Sequence, residues 1–213
     1  GASNTVVGYR GGASMTTGSN NVAVGQSALK SNTTACFNTA VGACAGFANT
    51  TGTYNTALGY RSLCANTTAS YNTAVGYALV CNITGACNTG VGVDNLGANT
   101  TGCDNSALGF NTLNSNTTGC HNIGVGVAAL NKNTTGGKNV SVGYAAGYCN
   151  TTGACNTAIG SDAMYATSSG SVNTAIGACS LFANTTGTNN VAVGYEALKA
   201  NTCGGCNVAM GNL

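Results

Sequence analysis

Residues 38–54 read NTAVGACAGFANTTGTY, and the chain writes variations on this line from one end to the other. The opening motif is Asn, then a β-branched or small residue, then Ala, Gly, Ser or Val, then an aliphatic residue or Met, then Gly. Thirteen copies begin at Asn4, Asn21, Asn38, Asn55, Asn72, Asn88, Asn105, Asn122, Asn139, Asn156, Asn173, Asn190 and Asn207. Eleven of the twelve intervals are 17 residues, and the interval from Asn72 to Asn88 is 16. A unit this short cannot enclose a core of its own. It has to stack on its neighbours, so residues 1–213 read as a single repeat array.

Helix is a poor reading of the unit. Val, Thr, Gly and Asn are weak helix formers, and no apolar stripe of period 3.6 survives the glycine spacing. The pattern predicts an all-β chain, a parallel β-solenoid of about twelve 17-residue coils. Each copy is numbered here from its Asn as position 1. Position 4 is aliphatic or Met throughout, as in Val41, Leu58 and Ile159, and position 2 is Thr, Val, Ile or Ser. Alternation puts these two on one face of a strand, and their apolar character points that face inward. Leu at position 9, as in Leu29 and Leu63, joins the expected core. Charges at position 7 (Arg10, Arg61, Asp94, Asp162, Glu196) and position 17 (Asp104, His121, Lys138) mark outward sites. The recurring Asn then falls at a corner, where Asn38, Asn55, Asn72, Asn88 and Asn105 are expected to form a hydrogen-bonded ladder from rung to rung. Gly at position 5 and the NTTG segment at positions 12 to 15 supply the other bends. The residue missing from the Asn72 copy lies just after Tyr77, near position 7.

Composition narrows the function. Charged residues are 5% of the chain and the net charge is +2, so there is no basic stripe for nucleic acid. Pro is absent, which suits unbroken backbone ladders. Aliphatic stretches such as Ala78-Leu79-Val80 are too short for membrane insertion. No signal peptide is visible, but the sequence starts inside a repeat without Met. The first and last copies carry no atypical capping sequence, which points to ends that pair with other chains or run on in a longer fibre. If position 3 faces outward, its small residues, Ala23, Ala40, Ala57, Ala74 and their counterparts, form a flat strip suited to packing against another chain.

Twelve Cys read first as disulfides, and hence as an oxidising compartment. Cys81 with Cys87 and Cys149 with Cys155 share one spacing and are expected to be equivalent bridges. Cys103 and Cys120 occupy position 16 of adjacent copies, and Cys203 with Cys206 suits a tight loop. Cys36, Cys44, Cys64 and Cys179 have no evident partner. Metal and haem are not expected, because paired CxxC or HxxxH spacings are missing. No cofactor is implied. The four acids are dispersed and His121 is the only His, so no catalytic group assembles. Asn-x-Thr at Asn32, Asn49, Asn66, Asn82, Asn99, Asn116, Asn133, Asn150 and Asn184 matches the N-glycosylation acceptor, although the repeat itself also explains it as a turn and ladder. Tyr at position 6 and aromatics at position 10 suit either glycan rings or a covered core.

The Asn72-to-Tyr77 unit, NTAVGY, followed by Ala78-Leu79 and then Asn82-Ile83-Thr84-Gly85, is similar to repeats in bacterial and viral tail-fibre-like proteins. It also resembles a longer version of the β-roll head repeats of trimeric autotransporter adhesins. The resemblance implies an elongated, often trimeric, surface-exposed shaft or adhesive head, with a surface glycan or host-cell receptor as its partner. The sequence expectation is therefore a non-enzymatic extracellular fibre or adhesin segment that self-assembles into a filament or trimer. The alternative is an ice-binding solenoid whose Thr columns at positions 13 and 14, such as Thr50-Thr51 and Thr134-Thr135, order water.

Overall fold

The computed structural model describes residues 1–79 and 81–212; Val80, the end of the Ala78-Leu79-Val80 stretch, and Leu213 lie outside the described residues. The fold is an all-β parallel solenoid with one short strand per coil. Packing divides the chain into two compact units, Gly1–Asp104 and Asn105–Leu213. The first holds β1 (Thr5–Val7), β2 (Val22–Val24), β3 (Thr39–Val41), β4 (Thr56–Leu58), β5 (Thr73–Ala78) and β6 (Thr89–Asn95). The second holds β7 (Ser106–Phe110), β8 (Ile123–Val125), β9 (Val140–Val142), β10 (Thr157–Ile159), β11 (Thr174–Ile176), β12 (Val191–Val193) and β13 (Val208–Met210). Within each unit every strand pairs in parallel with the next, equal repeat positions opposite one another: Thr39 faces Thr56, and Ala158 faces Ala175.

The strands span positions 2 to 4, but their facing is the reverse of the expectation. Position 3 is the inward one. Ala40, Ala74, Ala175 and Ala192 are wholly buried, while Leu58, Leu108, Ile159 and Ile176 at position 4 are 39–50% exposed. The proposed assembly strip of Ala23, Ala40, Ala57 and Ala74 is therefore core, not surface. The physical reason is cross-section. Leu at position 9 reaches across the coil from the far side, and only a methyl group fits opposite it. Where position 3 is Gly90, an added Cβ would already lie 3.3 Å from the Ala78 side chain and 3.4 Å from that of Leu79. The interior consists of Asn at position 1, Ala at 3 and 8, Leu at 9, Asn at 12 and Gly or Ala at 15. In the second unit Ala146, Ala158, Ala163, Met164, Ala175 and Leu181 belong to one such cluster.

Each coil turns on left-handed residues at positions 7, 9 and 17. In one coil these are Asp162 (φ 54°), Met164 (φ 53°) and Val172 (φ 58°). Such a backbone costs a non-glycine residue about 1–2 kcal/mol. It is held because the ladder continues through the corners: Asp162 N–H donates to the Tyr144 carbonyl, Met164 N–H to that of Ser180 and Val172 N–H to that of Ala154, at 2.9–3.0 Å. Position 5 is a more extreme case. Gly160 has φ 131°, and a Cβ there would sit 2.7 Å from the Gly177 carbonyl oxygen. The short copy loses its position-7 corner. β5 runs straight on to Ala78, the register steps so that Ala78 pairs with Asn95, and Asp94 (φ 53°) has no counterpart in β5.

Candidate functional surfaces

The Asn ladder expected at position 1 is present, and it lies inside the coil. Asn122 N–H donates to Asn105 Oδ1 at 2.9 Å, and Asn139 N–H donates to Asn122 Oδ1 at 3.0 Å. Asn122 Nδ2 also donates to the Gly136 carbonyl at 2.9 Å. The same scheme holds Asn38, Asn55, Asn72 and Asn88 to their predecessors through the backbone N–H, at 2.9 Å each. A second ladder runs at position 12. Asn133 Nδ2 donates to Asn116 Oδ1 at 2.8 Å and to the Gly136 carbonyl at 2.9 Å. One carbonyl at position 15 thus collects both amides and ties opposite sides of the coil together. Buried amides satisfied in this way cost little to bury and fix the register of every rung.

This geometry bears directly on the Asn-x-Thr motif. Asn32, Asn66, Asn82, Asn99, Asn116, Asn133 and Asn184 are at most 1% exposed, and Asn49 and Asn150 are 2%. A glycan on such a nitrogen would have to displace the position-12 ladder from the interior. The Thr at position 13 also serves the fold. Thr50 Oγ1 donates to the Thr67 carbonyl at 3.0 Å and Thr134 Oγ1 to that of Thr151 at 3.0 Å. Thr51 and Thr135 at position 14 are exposed.

The expected bridges do not form at Cys81, Cys87, Cys149, Cys155, Cys203 or Cys206, all of which are free thiols. Positions 11 and 17 flank the segment that carries the buried Asn82 or Asn150 into the coil interior, so each pair is separated by an inward excursion of the chain. Cys203 and Cys206 are likewise both exposed. Cys103 and Cys120 fall in separate units. No group of three or more His, Cys, Asp or Glu side chains converges as a metal site among the described residues. No helix among them is long and apolar enough to cross a membrane.

The aromatic residues form columns. Phe37, Tyr54 and Tyr71 at position 17 stack at 4.9 and 5.2 Å, with ring planes 7° and 3° apart. This column was missed in the sequence, although its 17-residue interval is plain. Tyr148, Tyr165 and Phe182 at position 10 stack at 5.2 Å. Rings stacked along the coil axis cover one another's faces, so only edges meet solvent, a poor platform for a sugar ring. Tyr9, Tyr60, Tyr144 and Tyr195 at position 6 are exposed and do not roof the core.

The remaining surface is the outer side of the strands, where positions 2 and 4 lie in register. No Lys, Arg, Asp, Glu or His occurs at positions 1 to 5 of any copy. Compared with family models, with curated proteins and with solved structures, the chain matches none of them. Charge sits instead at the bends. Lys199 Nζ approaches Glu196 Oε1 to 2.5 Å. The hydrogen bond with Lys199 holds the Glu196 carboxyl below its ordinary range, and the same bond raises the Lys199 ammonium. Hydrogen bonding to Glu196 also raises the Tyr195 phenol.

Proposed function

We propose that this chain is a non-enzymatic structural segment of an extracellular fibre or adhesin, which self-associates into a filament or trimer. One observation carries the reading: the same interior residues, Asn at positions 1 and 12 and Ala at position 3, are committed to holding rung on rung in coil after coil. That investment produces stiffness and a repeated outer surface rather than a pocket with converging catalytic groups. The uncharged strand face, with Thr39, Thr56, Val41 and Leu58 in one unit and Thr157, Thr174, Ile159 and Ile176 in the other, is the surface offered for packing against further chains. A surface glycan or host-cell receptor is the partner class for an adhesin of this kind. Negative-stain imaging of the purified chain, combined with limited proteolysis, tests the reading. Protease-resistant filaments or bundles are expected, and compact monodisperse particles that are rapidly digested overturn it.

A second reading, an ice-binding solenoid, draws on the same face. Thr at position 2 stands on a regular, outward strand, and Thr at position 14 is exposed as well. The position-13 hydroxyls give their protons to backbone carbonyls, so the water-ordering face is the strand, not the Thr pairs alone. A thermal-hysteresis measurement decides between them; no gap between melting and freezing at high concentration removes this reading.

A further inference from the structure

Positions 7 and 9 are left-handed corners, and the side chains of positions 7 and 10 come together at the surface between and beyond them. Glu196 and Lys199 demonstrate the relation in one coil, where they form an ion pair. In the coil that begins at Asn55, the same two positions hold Arg61 and Cys64, with Arg61 at φ 55° and Leu63 at φ 50°. A groove there is walled by Phe47 and Tyr60 and contains a second thiol, Cys44, one rung from Arg61. Tyr60 is itself braced by stacking on Tyr77 at 6.3 Å. We propose that Cys64 is the preferred site of thiol–disulfide exchange on this chain, and that its reactants are small disulfides carrying carboxylate groups, held by Arg61.

The chemistry follows from the neighbours. The attacking species in exchange is the thiolate, and a disulfide whose carboxylate docks on Arg61 is held beside Cys64. Arg61 hydrogen-bonds to Cys64, and that bond is the leading cause that raises the guanidinium above its ordinary range. Arg61 also has donors to spare for a carboxylate, which it binds through a planar fork. Cys64 Sγ attacks one sulfur of the small disulfide. The new sulfur–sulfur bond forms as the old one breaks, the electron pair leaves on the displaced thiolate, and that thiolate takes up the proton Cys64 released. No further oxidant enters the balance. Outside the Arg61 groove three thiols have a lysine one rung away: Cys149 beside Lys132, Cys155 beside Lys138, and Cys179 beside Lys199, whose ammonium is paired with Glu196. Lys132 Nζ is drawn over the Tyr148 ring, 5.2 Å from its centroid. A lysine also offers a point charge without the fork.

The test uses the reduced full chain, pulsed with oxidised glutathione, with the loss of each free thiol read by differential alkylation and peptide mass spectrometry. Cystamine, a disulfide of opposite charge, is run in parallel. Cys64 is expected to be consumed roughly two- to fivefold faster than the more exposed Cys81 and Cys155 by oxidised glutathione, the scale of an exposed ion pair. The preference should vanish with cystamine and in Arg61→Gln, and return in part in Arg61→Lys. Arg61 is exposed, so these variants leave the core intact. Equal or slower consumption of Cys64, a preference that survives Arg61→Gln, or the same preference with cystamine overturns the proposal.

Discussion

A buried asparagine at position 1 makes three kinds of bond that no other side chain reproduces. Its oxygen accepts the backbone N–H of the next Asn, its nitrogen donates to the preceding amide, and the same nitrogen holds a position-15 carbonyl. For Asn122 the partners are Asn139, Asn105 and Gly136. Asn122→Ala strands the Asn139 N–H and the Gly136 carbonyl loses one of its two donors, so a loss of about 1–3 kcal/mol is expected in denaturant unfolding. Asn122→Asp is more informative because it keeps the shape. A carboxylate would face the Gly136 carbonyl and Asn105 Oδ1, so its folded-state pKa would be raised above the unfolded value. The penalty is then full at pH 7 and is relieved as pH falls through the raised pKa, where the acid regains one donor. The stability gap between Asn122→Asp and the parent should narrow between pH 7 and pH 4; a gap independent of pH contradicts the buried-ladder geometry. At the surface, Glu196 offers the opposite sign. Its carboxyl is lowered by Lys199, so the small stabilisation exists above the ordinary Glu range and fades as pH drops through the lowered value. An NMR titration of Glu196 should move upward in Lys199→Met.

A strand of three residues shows which part of the fold the repeat makes legible. The 17-residue interval predicts parallel coils in register, and the structure pairs Thr157 with Thr174 and Ile159 with Ile176. The rung-to-rung Asn ladder is also legible, because identical amides at identical positions must meet when coils stack. The facing is not, since apolar character alone places Val, Ile and Leu inside. The correcting signal is restriction rather than hydrophobicity: position 3 admits Ala, Gly and Ser with the single exception of Val6, on the exposed β1. A narrow interior shared with Leu and two Asn columns demands that restriction, and period two from the buried Asn gives the same phase. The disulfide reading fails for a related reason, because sequence spacing counts residues and not the direction in which a left-handed corner sends a side chain. The facing makes a sharp prediction for β10. Ala158→Leu overfills the coil and should cost about 1–3 kcal/mol. Ile159→Thr, one residue on, should stay within about 0.5 kcal/mol, as for an exposed site. Thermal or denaturant melts that show the reverse order refute the assignment.

Taken over the whole chain, the charge distribution decides which surface is free to associate. Every Lys, Arg, Asp, Glu and His lies outside positions 1 to 5, so the outer face at positions 2 and 4 is uncharged in both units, and Asp94 at the far end of β6 is the one charge within a strand among the described residues. On the proposed self-association, this uncharged face with its aliphatic column is the surface through which chains would pack. Replacing buried Ala57 or Ala74 with Arg would test only folding, because both are core. The informative change is Ile159→Lys with Ile176→Lys, which sets two ammonium groups one rung apart on the outer face of β10 and β11, where the parent side chains are 39% and 40% exposed. Strand content and melting temperature should change little, because both lysines reach solvent. Association through the strand face should fall, and sedimentation velocity across a concentration series should show the variant shifted toward the monomer relative to the parent. A control pair, Ser161→Lys with Cys179→Lys, adds the same charge at the bends and should leave association unchanged. If both pairs shift the parent equally, net charge alone governs its solubility and the strand face is not the interface. If neither does and the parent still associates, contact runs through a surface other than the strand face.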